Sequence, residues 1–353
     1  MHVISKVLSE WYAHNKRDLA WRNTTDAYRI WLSEVILQQT RVAQGTSYYN
    51  RFVEAFPTVR HLAMAHEDAV LKLWQGLGYY SRARNLHKTA KIISSEYGGV
   101  FPNSYRQLLA LPGIGHYTAA AIASFAFAQA TPVLDGNVYR VLARLFAIQE
   151  AIDVQANQQI FHSILSELIQ DTNPALFNQS IMEFGALQCV PQNPDCDACP
   201  LIAPCVAYNN NMVQQLPFKS KKTAVRNRFF NYIFIISQNK TFLKKRVEKD
   251  IWQNLYEPFM FETDTEIALD ALEQSEIFKK HFSYKNYKLF SVSKRKHVLT
   301  HQRIFAQMFV LELRDADFEL DAYQAVSIDD LSNFAIPRLV ELFLMDMHEN
   351  FNE

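Results

Sequence analysis

Residues Leu111–Ile122 read LPGIGHYTAAAI. One proline and two glycines stand directly ahead of a small, apolar run that suits only a helix. Upstream, Tyr105 to Ala110 also has helical spacing. Pro112-Gly113-Ile114-Gly115 must therefore turn sharply between two helices. Glycines there free the backbone to take positive φ and leave no side chain in the way. The amides that open the second helix then point outward unpaired, so that Gly113 and Gly115 suit a phosphate oxygen. The plainer alternative is a turn that only joins two packed helices.

The chain has 353 residues, more than one ordinary domain holds, and 49% are apolar, enough for two cores. Lysine plus arginine and aspartate plus glutamate number 36 each, so the chain is no general polycation. Affinity for phosphate would rest on local clusters. Four exist: Lys219-Ser220-Lys221-Lys222, Arg226 with Arg228, Lys244-Lys245-Arg246 and Lys294-Arg295-Lys296. Each reads equally well as a solvated face. No apolar run is long enough to span a membrane, and the N-terminus lacks the apolar core of a secretory signal. The expectation is a soluble, cytoplasmic protein with no membrane partner.

Up to about residue 210 the texture is helical. Ile30–Val42, Tyr105–Ala110, Ala119–Ala128 and Val138–Ile148 carry helical spacing, and Asp135-Gly136-Asn137 is a helix start. Asn209–Pro217 is polar and then proline-broken. Beyond it, Phe229–Ile236, Lys288–Val292 and Phe305–Leu313 read as strands, Thr265–Gln274 and Pro337–Met347 as helices. The expected division is a helical domain over 1–210, a linker over 211–222 and a smaller α+β domain over 223–353. All nine glycines lie at or before Gly185.

The four cysteines fall in one window, Cys189-x6-Cys196-x2-Cys199-x5-Cys205. Intervening Pro, Asp and Asn let the backbone wrap something small. An intracellular chain disfavours disulfides. Zinc and a 4Fe–4S cluster both take four thiolates, and composition does not separate them.

Two carboxylates stand out. Asp135, in Val133-Leu-Asp-Gly-Asn-Val-Tyr-Arg140, is either a capping residue or an anion poised at a helix end to face developing positive charge. Cleaving an N-glycosidic bond builds such charge on the sugar. Glu34, in Trp31-Leu-Ser-Glu-Val-Ile-Leu-Gln-Gln-Thr40, is either an exposed residue or a partly buried acid amid Ile30, Trp31 and Leu37. Buried, it would deliver a proton near neutral pH. The residues themselves leave both questions open.

In this order WLSEVILQQT, LPGIGHYTAAAI, VLDGNVYRVL and the cysteine window resemble the adenine DNA glycosylases of the MutY type. The resemblance implies an all-α helix-hairpin-helix glycosylase domain with a 4Fe–4S loop, followed by an α+β Nudix-like domain. It implies a structural 4Fe–4S cluster on Cys189, Cys196, Cys199 and Cys205. It makes Glu34 the acid that protonates a flipped adenine, and Asp135, beside Asn137, the stabiliser of the oxocarbenium ion. Tyr117 helps hold the site. Related bifunctional enzymes carry a Schiff-base lysine there, so tyrosine implies base removal by water without strand cleavage. Gln39 and Tyr79, in Gln38-Gln39-Thr40 and Leu77-Gly78-Tyr79-Tyr80, match positions that wedge into the duplex; Thr40 and Leu77 accompany them. Arg17, Trp21, Arg22 and Leu37 match the adenine pocket.

The second domain resembles the Nudix-like domain in pieces such as Ile251-Trp-Gln-Asn-Leu-Tyr-Glu-Pro-Phe259. A hydrolytic Nudix enzyme carries a glycine-bearing glutamate box, and none is present, so this domain should bind rather than hydrolyse. His297-Val298-Leu299-Thr300-His301 corresponds to the family's H-x-F-S-H loop, which meets 8-oxoguanine opposite the adenine. Leu299 replaces the aromatic residue, while Thr300 keeps a hydroxyl beside His301. The implied partner is duplex DNA with an adenine paired to 8-oxoguanine or guanine, bound by a monomer. Two other readings stand beside this one: a non-catalytic iron–sulfur lesion-binding protein, and an endonuclease III-like glycosylase with lyase activity.

Overall fold

The computed structural model describes residues 2–170, 172–220, 225–282, 286–314 and 318–351. Lys221 and Lys222, with the end of the expected linker, lie outside them. Helices come first: α1 (His2–Asn15), α2 (Ala27–Leu37), α3 (Val42–Ala55), α4 (Val59–Met64), α5 (Glu67–Trp74), α6 (Ser81–Glu96), α7 (Tyr105–Leu109) and α8 (His116–Phe127). They continue through α9 (Gly136–Leu145), α10 (Gln158–Leu168), α11 (Pro174–Leu187) and α12 (Val206–Asn209). The remainder is β1 (Arg226–Ile236), β2 (Lys240–Lys245), β3 (Tyr256–Glu257), β4 (Phe259–Thr263), α13 (Leu269–Gln274), α14 (Glu276–Phe282), β5 (Tyr287–Val298), β6 (Gln302–Leu313), β7 (Gln324–Ser327) and α15 (Arg338–Phe351).

By packing, the chain forms two units, Met1–Met64 with Asn85–Lys222 and Ala65–Arg84 with Thr223–Glu353. This differs from the expected boundary in two places. Met212, Val213 and Leu216 pack on the core of the first unit, and Ile152 donates to the Phe218 carbonyl at 3.0 Å, so most of the expected linker is fixed. Segment 65–84 belongs to the second unit because α5 is tied there by polar contacts. Asp68 takes Lys245 at 2.5 Å and the Tyr256 hydroxyl at 3.1 Å, while Glu67 accepts from Asn254 at 2.6 Å.

In the first unit α8 is buried from Thr118 to Phe125, as its unbroken small and apolar residues require. α2 opens on Asp26, whose carboxylate accepts from the Tyr28 amide at 2.8 Å. α11 opens on Asn173 with Pro174 in its first turn. The helix expected over Ile30–Val42 breaks after Leu37: Gln39 takes φ 56°, and α3 begins at Val42. Apolar spacing does not register a single left-handed residue.

The second unit holds a mixed sheet, β4-β1-β6-β5, with β1 and β6 parallel, and a small sheet, β3-β2-β7. The part of it that follows Thr223 has no glycine, and its tight turns use other residues: Gln238 (φ 49°) and Asn239 (φ 59°) link β1 to β2. One face of the mixed sheet buries Ile233, Ile235, Phe309 and Leu311 against Leu272, Phe278 and Phe282 of α13 and α14. The expected helix over Thr265–Gln274 begins only at Leu269. Ile267 stays extended enough for its carbonyl to accept from Gln307 at 2.8 Å.

Candidate active site and cysteine loop

The first unit contains a cavity of about 400 Å³ between residues of α2, α8, α9, α11 and the segment before α2. Glu34 projects from α2 into it and is only 7% exposed. The Tyr117 hydroxyl, from the first turn of α8, donates to Glu34 Oε2 at 2.6 Å. Burial pushes the Glu34 pKa up to about 7; the Tyr117 bond pulls against that, and the nearby Asp135 charge adds to the rise. Burial therefore brings this carboxyl's titration into the neutral range, where it can carry a proton.

Asp135 is the N-cap of α9, and Oδ1 accepts from the Val138 amide at 2.7 Å. It also lines the cavity, so capping and facing the site are the same placement. Asn137 Nδ2 donates to Asp135 Oδ2 at 2.8 Å. Burial raises the Asp135 pKa, and these bonds restrain the rise.

The opposite wall differs. Arg17 and Arg22 reach the cavity, but both are committed to Glu183 of α11, a residue the sequence reading passed over. Arg17 holds it through Nε at 2.8 Å and Nη2 at 2.6 Å, Arg22 through Nη2 at 2.6 Å. Burial alone would raise the Glu183 pKa, but the two guanidiniums hold it down to about 2. The available signal was a lone acid in the otherwise apolar run Ile181–Leu187, which needs a buried partner. Trp21 is buried edge-on against Tyr49, with ring centroids 5.3 Å apart, and Leu37 closes the cavity beside Gln39 and Thr40.

Gly185 was also missed. A Cβ there would lie 2.8 Å from Asn137 Cβ and 2.9 Å from its carbonyl oxygen, so glycine lets α11 approach α9 at the site. Arg140 fixes the contact, donating to Asn137 Oδ1 at 2.9 Å, the Gly185 carbonyl at 2.6 Å and the Cys189 carbonyl at 2.8 Å.

The α7–α8 turn places its two glycines differently. Gly113 has φ +74°, and a Cβ would meet Asn85 Cβ at 2.6 Å. Gly115 is extended (φ −91°, ψ −179°) with nothing within 4 Å of a Cβ, so positive φ explains only the first of the pair. Neither amide has a hydrogen-bond acceptor among the described residues.

Gln39 is exposed at its left-handed position in the first unit. Tyr79, at φ 47°, is 44% exposed in the second. A non-glycine residue at positive φ is uncommon and needs support from its surroundings. Leu77, grouped with Tyr79 as a DNA contact, is instead 8% exposed, its side chain turned inward. The Tyr79 hydroxyl is hydrogen-bonded to Thr300 Oγ1, and both line a pocket of about 300 Å³ with Leu299, His301 and Trp252. Leu299 donates to the Gln302 carbonyl at 2.8 Å, closing the β5–β6 turn that carries Thr300 and His301.

The cysteines are free, partly buried thiols on one loop. Burial and the mutual repulsion of the other three push Cys199 up to about 11. Backbone amides nevertheless point at the sulfurs, Leu201 at Cys199 and Tyr208 at Cys205. Arg144 Nη1 donates to Cys189 Sγ at 3.4 Å and to the Val190 carbonyl at 2.7 Å. Among the described residues no His, Cys, Asp or Glu group is drawn together as one metal ion requires. Thiolates around a four-iron cluster each bind a different iron and stand farther apart. The amide and guanidinium donors aimed at the sulfurs suit four thiolates held by a bound group.

Residues 32–167 match the HhH-GPD superfamily of base excision DNA repair proteins, and residues 231–346 match the NUDIX domain. An adenine DNA glycosylase from Buchnera aphidicola subsp. Schizaphis graminum is 38% identical over 72% of this chain and 74% of its own. The human adenine DNA glycosylase is 43% identical over 59% of this chain and 40% of its own. Among solved structures, a thermostable thymine-DNA glycosylase superimposes with a TM-score of 0.55 at 26% identity, covering 59% of this chain and 96% of that one.

Proposed function

This chain belongs to the adenine DNA glycosylase family, and on that premise we propose that it removes adenine paired with 8-oxoguanine, or with guanine, from duplex DNA. The observation that carries the chemistry is a buried acid, Glu34, with a pKa near 7 beside a second carboxylate, Asp135, in a base-sized cavity. Adenine must leave the stack to reach it. Neutral Glu34 gives its proton to N7, so the base departs uncharged as the C1′–N9 bond breaks. Positive charge then builds on the sugar, and Asp135, anchored at the α9 N-terminus, opposes it as an anion. Water adds its oxygen to C1′, and its proton returns to Glu34 or passes to Asp135.

Tyr117 cannot form a Schiff base, and no lysine lines the cavity among the described residues, so the product is an intact strand with an abasic site. Gln39 and Tyr79 serve as wedges. Thr300 offers its hydroxyl to the opposite base, with His301 and Leu299 beside it. A 4Fe–4S cluster on Cys189, Cys196, Cys199 and Cys205 would stiffen the loop that Arg140 and Arg144 tie to α9. The protein acts as a cytoplasmic monomer on the nucleoid.

Single-turnover incubation with a duplex carrying one adenine opposite 8-oxoguanine tests this, half of each sample being heated in alkali. Breaks only after alkali are expected. Breaks without alkali would overturn the assignment of Tyr117, and tight binding with no breaks would indicate a lesion-binding protein. A duplex with guanine opposite the adenine measures the preference.

A further inference from the structure

The basic run Lys294-Arg295-Lys296 divides between the two faces of β5. Arg295 donates through Nε to Asp346 of α15 at 2.9 Å. The ladder places Lys296 beside Phe305 and Phe305 beside Phe229, then Lys294 beside Gln307 and Gln307 beside Asn231. Directly paired residues share a face, as do residues two apart on one strand. Three strands thus present two adjacent rows on one face. In the first, Phe229 and Phe305 stack 5.2 Å apart with 17° between planes, and the Lys296 ammonium stands 5.3 Å from the Phe305 centroid.

The next positions inward, Ile233 and Phe309, lie under α13 and α14. The amide row marks where that cover ends. Gln307 is 4% exposed and Asn231 1%. Gln307 Nε2 donates to Asn231 Oδ1 at 2.7 Å and to the Ile267 carbonyl, while Asn231 Nδ2 donates to Thr263 Oγ1 at 2.9 Å. Their donors are spent, and Gln307 Oε1 has no donor among the described residues. It stands on the wall of a pocket of about 170 Å³ that the aromatic row, the two lysines and Glu266 also line. Glu266 accepts from Lys294 at 2.9 Å. One row outward, Arg303 pairs with Val298 and Asn227 on the ladder and is exposed.

We propose that this pocket takes one unstacked nucleotide of a DNA strand: its base against Phe229 and Phe305, its amino edge on Gln307 Oε1 and Glu266, and its phosphates on Lys296, Lys294 and Arg303. Aromatic faces with flanking cations are how proteins hold single strands. The two acceptors select a base with an exocyclic amino group, so cytosine, adenine or guanine over thymine. A strand is favoured over a free nucleotide because a further exposed cation, Arg303, stands one row past the pocket along the sheet. The proposal does not depend on adenine excision.

The test is photo-crosslinking of the full chain to a single-stranded oligonucleotide carrying one 5-iododeoxycytidine, with peptides located by mass spectrometry. A crosslink at Phe229 or Phe305 is expected, reduced about fivefold or more by Lys296→Glu or Phe305→Ala, the scale of one lost stacking or phosphate contact. Lys296→Glu, at an exposed position, keeps the test valid should Phe305→Ala fail to fold. Crosslinks confined to the first unit and unmoved by Lys296→Glu would overturn the proposal. Equal yield from 5-iododeoxyuridine would overturn the amino-edge reading. Competition by dCMP at concentrations below the oligonucleotide's would support the same chemistry with a free nucleotide as its source.

Discussion

Two glutamates face the same cavity and behave oppositely. Glu34 on α2 meets one hydroxyl, and burial lifts its pKa to about 7. Glu183 on α11 is also buried, yet two arginines hold its pKa down to about 2. Burial is common to both; the fixed cations decide the outcome. One wall is thus a permanent ion cluster that sets the shape of the cavity. The other is an acid left without a direct cation so that its proton can move.

Exchanging the movable acid gives the largest expected effect. Glu34→Gln keeps shape and a hydrogen-bonding edge but has no proton to give. Single-turnover excision should fall about 10³-fold, within the range of general acid catalysis, with duplex binding retained. Excision by the wild type should decline above about pH 7, as the acid form is lost. Undiminished excision by Glu34→Gln would remove Glu34 from the chemistry and with it the contrast between the walls.

The same substitution has a stability signature of opposite sign. The native pKa lies above the unfolded value, so the proton favours the fold at low pH. That contribution is complete below about 4.5 and is lost as pH rises through about 7. Glu34→Gln should therefore melt higher than the wild type at pH 8, by up to about 3 kcal/mol, and show no gain below pH 4.5. Thermal unfolding at the two pH values measures it.

Breaking the fixed wall should cost less than the chemistry but in the expected direction for an ion cluster. Glu183→Gln leaves Arg17 and Arg22 facing each other without a counter-charge. The loss should be about 2–3 kcal/mol at neutral pH, below the usual figure for a buried pair because the Arg17 side chain is 36% exposed. The Glu183 pKa is depressed, so the wild type has this stability above about pH 4.5 and loses it as pH falls toward 2. Denaturant unfolding at pH 7 and pH 3 should show the gap narrowing on acidification.

These walls were unequally legible in the sequence. Asp135 and Tyr117 sit in short motifs whose punctuation by Asp, Gly and Pro fixes local geometry, and the α7–α8 turn follows from Pro112 and Gly113; Glu34 lies in a run without such punctuation and was marked by the family resemblance. Glu183 and Gly185 sit inside an uninterrupted helix, and their partners Arg17 and Asn137 come from distant segments. Their role exists only once α11 packs on the site. The attachment of α5 to the second unit is hidden for the same reason, since Asp68 meets Lys245 across 177 positions. Strands β2, β3, β4 and β7 escaped because they are short, while β5, broken by a register shift between Ser291 and Ser293, ran longer than its apolar part. Periodicity reports one face of one element, and pairings between elements leave no local trace.

The smallest effect tests how finely the movable acid is set. Tyr117 donates to Glu34 Oε2, a bond that favours the ionised form and so holds the pKa below what burial alone would give. Tyr117→Phe removes the hydroxyl and little volume. The fall of the single-turnover rate with rising pH should then move to higher pH, by up to about one unit, the worth of a single hydrogen bond. The rate at pH 6, where Glu34 is already mostly protonated, should change far less than the position of that limb. A shift to lower pH would mean that the hydroxyl accepts from protonated Glu34 instead. Tyr117 would then stabilise the acid form, and the two walls would differ in their partners but both be held in a single charge state by them.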